Sequence, residues 1–123
     1  MTSPVFDQST SLRRMGYDQK LFREMIGLFQ EDGPRRLNDV HQAYEQRDAT
    51  RVHQAAHTLK GLAANFSAQP AVEAAAQVEQ LARANQWSDL VPALARLDGA
   101  LAELLTALHP LMKASSSQSM NSP

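Results

Sequence analysis

Apolar residues recur along this chain at three- and four-residue steps, and almost nowhere at the two-residue step of a strand. A short helical turn is expected over Ser11 to Met15, ending near Gly16. Asp18 is a fair N-cap for a helix carrying Leu21, Phe22, Met25, Ile26, Leu28 and Phe29. The Leu21/Met25/Leu28 edge is read with the core, the alternative being that part of it helps to receive a partner. Asp32-Gly33-Pro34 stops or kinks that helix, since Pro34 lacks the N–H that the preceding turn requires. The pattern resumes through Leu37, Val40 and Tyr44. Asp48 then caps a helix that runs to about Phe66, and Gln69-Pro70 opens another with Val72, Ala75, Ala76, Val78 and Leu81. After the break at Asn85 to Ser88, Leu90, Leu94, Leu97, Leu101, Leu104, Leu105 and Leu108 mark a last helix, which Pro110 is expected to close.

Four or five amphipathic helices with short connectors predict an all-α fold: an antiparallel four-helix bundle with one or more short additional N-terminal helices. Residues 1–10 read as a partly ordered N-terminal segment, 11–113 as the bundle, and 114–123 as a disordered Ser-rich tail. Composition agrees. Alanine and leucine dominate an apolar fraction of 43%, and β-branched residues are few. One core suits 123 residues.

A net charge of −1 supplies no broad basic field for nucleic acid. With no cysteine there is no disulfide framework, thiolate metal site or cysteine nucleophile. No apolar run approaches the roughly 20 residues of a membrane span. Met1-Thr2-Ser3-Pro4 lacks the charged and apolar regions of a signal peptide, so a cytoplasmic protein that is not bound to a membrane is expected.

Chemistry concentrates in Ala56-His57-Thr58-Leu59-Lys60-Gly61. At about 100° per residue, Val52, Ala56, Leu59, Ala63 and Phe66 fall on the side opposite His57. His57 is therefore expected at the centre of the solvent face. His53, Gln54, Lys60, Gly61, Ala64 and Ala68 fall beside it, within about 60°. Solvent faces are normally filled with long polar side chains, yet three of these neighbours are Gly or Ala. A glycine within a helix costs about 1 kcal/mol relative to alanine. Close approach of a partner to the imidazole would offset that cost. Lys60 lies within one turn and can stabilise the negative charge that a phosphorylated imidazole would carry.

These residues, followed by Ala64-Asn65-Phe66 and Ala68, closely resemble the signature of histidine-containing phosphotransfer (HPt) domains. The resemblance extends to Val5–Phe29 and to Val78-Glu79, where that family often has an apolar-acidic pair, and it covers about residues 5 to 110. It implies a helical phosphoryl carrier in a two-component phosphorelay. His57 would accept a phosphoryl group from a receiver-domain phospho-aspartate and pass it to another receiver aspartate. Lys60 would be the charge partner. Gly61 and Ala64 would provide clearance, with His53, Gln54 and Ala68 at the docking surface. The partners implied are response-regulator receiver domains, that of a hybrid sensor kinase among them. Mg2+ belongs to the receiver, so this chain, expected to be a monomer, binds no cofactor of its own. One departure is Ser67, where the family commonly has glycine.

Other readings remain. His53 and His57 have a spacing that can chelate zinc, but Gln54 breaks the H-E-x-x-H pattern and no third ligand is evident, so no metal site is expected. His41 and His109 read as ordinary surface residues. A helical adaptor that binds a receiver-like partner without carrying phosphate is the alternative. No phosphate-binding loop or kinase signature is present, so the chain is expected to need a phosphorylated donor and not to use ATP itself.

Overall fold

The structure, a computed structural model, describes the backbone of residues 4–121 and the side chains of residues 4–112. Five helices follow in order: α1 (Gln8–Arg14), α2 (Gln19–Glu45), α3 (Ala49–Ala64), α4 (Gln69–Arg83) and α5 (Trp87–Asn121). Among the described residues there is no strand. Each of α2 to α5 packs on the next, and α2 also packs on α5, so four helices close a ring around one core while α1 rests on α2. Most of the expected tail over 114–123 lies within α5 as far as Asn121, with side chains outside the described residues; Ser122 and Pro123, like Met1 to Ser3, lie outside them altogether.

Three aspartates begin helices by accepting from backbone N–H groups that have no helical partner. Asp7 accepts from Thr10, Asp18 from Leu21 and Asp48 from Arg51. The Thr10 bonds, from backbone and then side chain, hold the Asp7 carboxyl below its ordinary value. In α4 the start is set by Pro70 in the first turn instead.

Of the two readings open at Pro34, one helix or two, the structure has one, and the end expected at Pro110 is not an end. α2 continues through Pro34, and α5 continues through Pro110. Before a proline, a residue is normally pushed out of helical conformation by a clash with its Cβ. Gly33 has none, and a Cβ there would lie 3.2 Å from the Phe29 ring. The missing atom thus serves both the proline and the core. Beyond Pro110, Leu111 and Met112 still pack against the core, and Leu108 is fully buried. Full burial contributes roughly 1.5–3 kcal/mol per large side chain, so the partial burial of Leu111 and Met112 offsets part of the roughly 3 kcal/mol cost of an internal proline. The Gln30 side-chain amide also donates to the Leu105 carbonyl at 2.9 Å, tying α2 to α5 just ahead of that proline.

Phe22, Ile26 and Phe29 carry the buried stripe of α2, whereas Leu21 and Leu28 are exposed, so the Leu21/Leu28 edge is not core. Phe66 anchors the far end. Its ring meets those of Phe22 and Phe29 at 6.1 and 5.3 Å between centroids.

α3 ends two residues before the expected Phe66, and its exit is specific. The N–H of Ala68 donates to the Ala63 carbonyl and that of Ser67 to Ala64, with Ser67 at φ +51°. This is the bond pattern of a Schellman ending, whose left-handed position favours glycine. Arg47 and Asn85 occupy the same position at the ends of α2 and α4, at φ +55° and +56°.

Candidate functional site

Every residue expected opposite His57 is buried: Val52, Ala56, Leu59, Ala63 and Phe66 are each 1% exposed or less. That burial rotates α3 so that the His57 side chain is 64% exposed. Gln54 and Gly61 are also exposed, His53 and Lys60 are half-buried, and Ala64 is partly covered. A Cβ built on Gly61 meets no atom within 4 Å. Nothing among the described residues requires a glycine there, so the bare backbone is an outward-facing feature. Arg14 of α1 donates to the Ala64 carbonyl at 2.8 Å and so borders the same face.

Ala68 does not belong to this face. It is fully buried at the start of α4. The helical wheel stops applying at the left-handed turn of Ser67, which reverses the chain and sends Ala68 into the core.

The centre of the site comes from α4. Glu79 is 7% exposed and draws three side chains of α3 together. Its Oε2 lies 3.0 Å from His57 Nδ1 and 3.3 Å from His53 Nε2, and its Oε1 lies 2.8 Å from Lys60 Nζ. The His53 and His57 rings stack at 6.3 Å with only 11° between their planes. Burial pushes the Glu79 carboxyl up, but the hydrogen bonds and charges of Lys60 and His57 more than offset this and hold it below its ordinary value. The carboxylate is thus an anion at neutral pH.

A carboxylate accepts only, so the bond at His57 is donated by Nδ1–H. In that tautomer Nε2 carries the lone pair. The ring is held from behind, its basic nitrogen is free, and a lysine stands beside it. Such an arrangement suits nucleophilic attack on an electrophile delivered from outside. Lys60 is reached through Glu79 and not through His57 directly, which refines its expected role as a charge partner.

Glu79 and Arg83 are the residues that the reading of the helical face left out. A signal for Glu79 was present. It stands between Ala75 and Ala82, both buried, in a register that otherwise carries only Ala and Val. A carboxylate in a buried register requires partners. Arg83, one turn later, contacts His53 Nε2 through NH2 at 2.8 Å. Among the described residues no group of three His, Cys, Asp or Glu side chains is arranged to hold a metal ion, and no helix is long and apolar enough to cross a membrane.

No curated protein matches the chain. Among solved structures it is similar to histidine-containing phosphotransfer protein B (HptB) from Pseudomonas aeruginosa PAO1. The TM-score is 0.84 at 18% identity, over 92% of this chain and 98% of that one. That likeness concerns the fold. The model of the Hpt domain matches residues 24–108, which include α3 and α4 with the whole Glu79 cluster. The chain belongs to the Hpt domain family.

Proposed function

We propose that this chain is a phosphorelay intermediate. His57 accepts a phosphoryl group from the phospho-aspartate of a receiver domain and hands it to the aspartate of a second receiver. The ring of α2 to α5 is read as the antiparallel four-helix bundle of such carriers. The observation that carries the proposal is the Nδ1 bond of an exposed His57 to the buried Glu79 carboxylate.

In the forward step Nε2 forms the N–P bond while the aspartyl O–P bond breaks and the carboxylate leaves. The Nδ1 proton stays in place, so the ring gains positive character as the bond forms. Glu79 is already aimed at that charge, and a preorganised countercharge costs no rearrangement during reaction. Lys60 lies within one helical turn of His57, near enough to meet a phosphoryl group carried there. The Mg2+ that transfer requires belongs to the receiver.

Docking is supported by two features. Gly61 leaves the backbone bare beside His57, and Leu62 continues from it into a groove of about 330 Å³ between α2 and α3. The groove is lined by Met25, Leu28 and Phe66 and rimmed by Glu31, Asp32 and Arg35. Leu28 is 66% exposed there, an apolar group suited to burial against a receiver.

Incubation with a phosphorylated receiver should place an acid-labile, base-stable phosphate on the wild type and none on His57→Gln. Equal labelling of that variant would end the proposal. Binding of the receiver without any label on the wild type would favour a non-phosphorylated adaptor.

A further inference from the structure

We infer that Arg83 and His53 act together as positioning residues that keep the His57 Nε2 lone pair available. The inference rests on the reading of His57 as the attacking group. A guanidinium donates hydrogen bonds and accepts none. Arg83 NH2 lies 2.8 Å from His53 Nε2, so that nitrogen accepts, and the ring proton of His53 sits on Nδ1. The same Nε2 lies 3.3 Å from Glu79 Oε2. In this tautomer the two atoms face each other as acceptors and make no hydrogen bond. Oε2 is left to the Nδ1–H of His57 at 3.0 Å, while Oε1 is engaged by Lys60 at 2.8 Å.

Without Arg83 that assignment loses its cause. His53 Nε2 can then carry the proton and donate to Oε2, in competition with His57. The bond that holds the His57 proton on Nδ1 weakens, and a fraction of molecules carries the proton on Nε2, the nitrogen that must attack. Arg83 is exposed on the last turn of α4. It never touches His57, and its effect passes through His53 and Glu79.

The tautomer of His57 can be read in the isolated protein by 15N NMR of the imidazole nitrogens, at about pH 8, above the ordinary histidine range. Wild type should show a protonated Nδ1 and a bare Nε2 at His57. Arg83→Met should move both shifts toward a mixture and slow transfer from a phosphorylated receiver by up to several-fold. Arg83→Lys, which still presents a donor, should restore most of the wild-type spectrum. In a His53→Ala background, Arg83→Met should leave the His57 spectrum unmoved. Unchanged His57 shifts in Arg83→Met would overturn the inference, and so would equal movement with and without His53. The spectrum requires no receiver. Labelling of His57→Gln would refute the phosphotransfer reading and leave the tautomer result standing, so the two failures are distinct.

Discussion

His57 and His41 each hydrogen-bond a carboxylate, and they do so from opposite ends of the ring. His57 uses Nδ1, toward Glu79. His41, on α2, uses Nε2, which lies 2.6 Å from Oδ1 of Asp98 on α5. The first arrangement leaves the outer nitrogen free, and the second leaves only the nitrogen nearest the backbone. Their helical neighbours differ as well. Three and four residues after His57 stand Lys60 and Gly61; after His41 stand Tyr44 and Glu45. One site offers a cation and open space, the other bulk and a negative charge. The carboxylates differ too, with side-chain exposures of 10% for Glu79 and 44% for Asp98. A histidine–carboxylate pair is therefore no mark of a nucleophile by itself. Which nitrogen is held, how well the acid is buried and what lies one turn ahead decide that.

The comparison is sharpest if the acid is neutralised at each site. Glu79→Gln keeps the shape but removes the charge that faces His57 and Lys60. A hydrogen bond to a charged group contributes about 1.5–3 kcal/mol. Transfer from a receiver to His57 should accordingly slow roughly 10- to 100-fold. Asp98→Asn and His41→Gln should leave the rate within about twofold, since exposed pairs contribute little. Single-turnover labelling of the variants measures both. Equal losses at the two sites would remove the distinction drawn between them.

Acid tests the buried Glu79 site directly. In the folded chain Glu79 holds its proton less tightly than its ordinary value of 4.5. The unfolded chain recovers the ordinary value, so between the two the unfolded state binds more protons and stability rises with pH. The contribution is complete above the ordinary value and disappears as pH falls through the lower, folded one. Denaturant titrations from about pH 6 to about pH 3 should show wild type losing stability more steeply than Glu79→Gln. Parallel curves would mean that Lys60 and His57 do not hold the carboxylate.

Much of this was legible in the amino-acid order, for identifiable reasons. The buried side of α3 follows the 3.6-residue period so closely that Val52, Ala56, Leu59 and Ala63 placed His57 on the surface by elimination. Asp18 and Asp48 announced their helices. What escaped depended on contacts between helices. Glu79 gains its role from three α3 side chains, and no single-helix pattern encodes that meeting. The partnership of His41 with Asp98 joins α2 to α5 in the same way. Pro110 misled because the packing of Leu111 and Met112 tolerates it, and Pro34 left one helix or two undecided, where Gly33 admits the continuous one. Ala68 misled because periodicity was extended past the end of its helix.

That end carries the smallest expected effect. At φ +51° Ser67 adopts a conformation that costs an L-residue roughly 1–2 kcal/mol and glycine almost nothing. Its hydroxyl is also buried without a hydrogen-bond partner among the described residues. Against this, glycine loses more freedom on folding, by roughly 0.5–1 kcal/mol. Ser67→Gly should therefore stabilise the fold by about 1 kcal/mol, which raises Tm by a few degrees. Glu79 and its partners lie on α3 and α4 within the helices and not in the turn between them, so transfer to His57 should be unchanged. A fall in Tm would show that the hydroxyl supports the turn, and a change in transfer rate would make Ser67 part of the surface that a receiver touches.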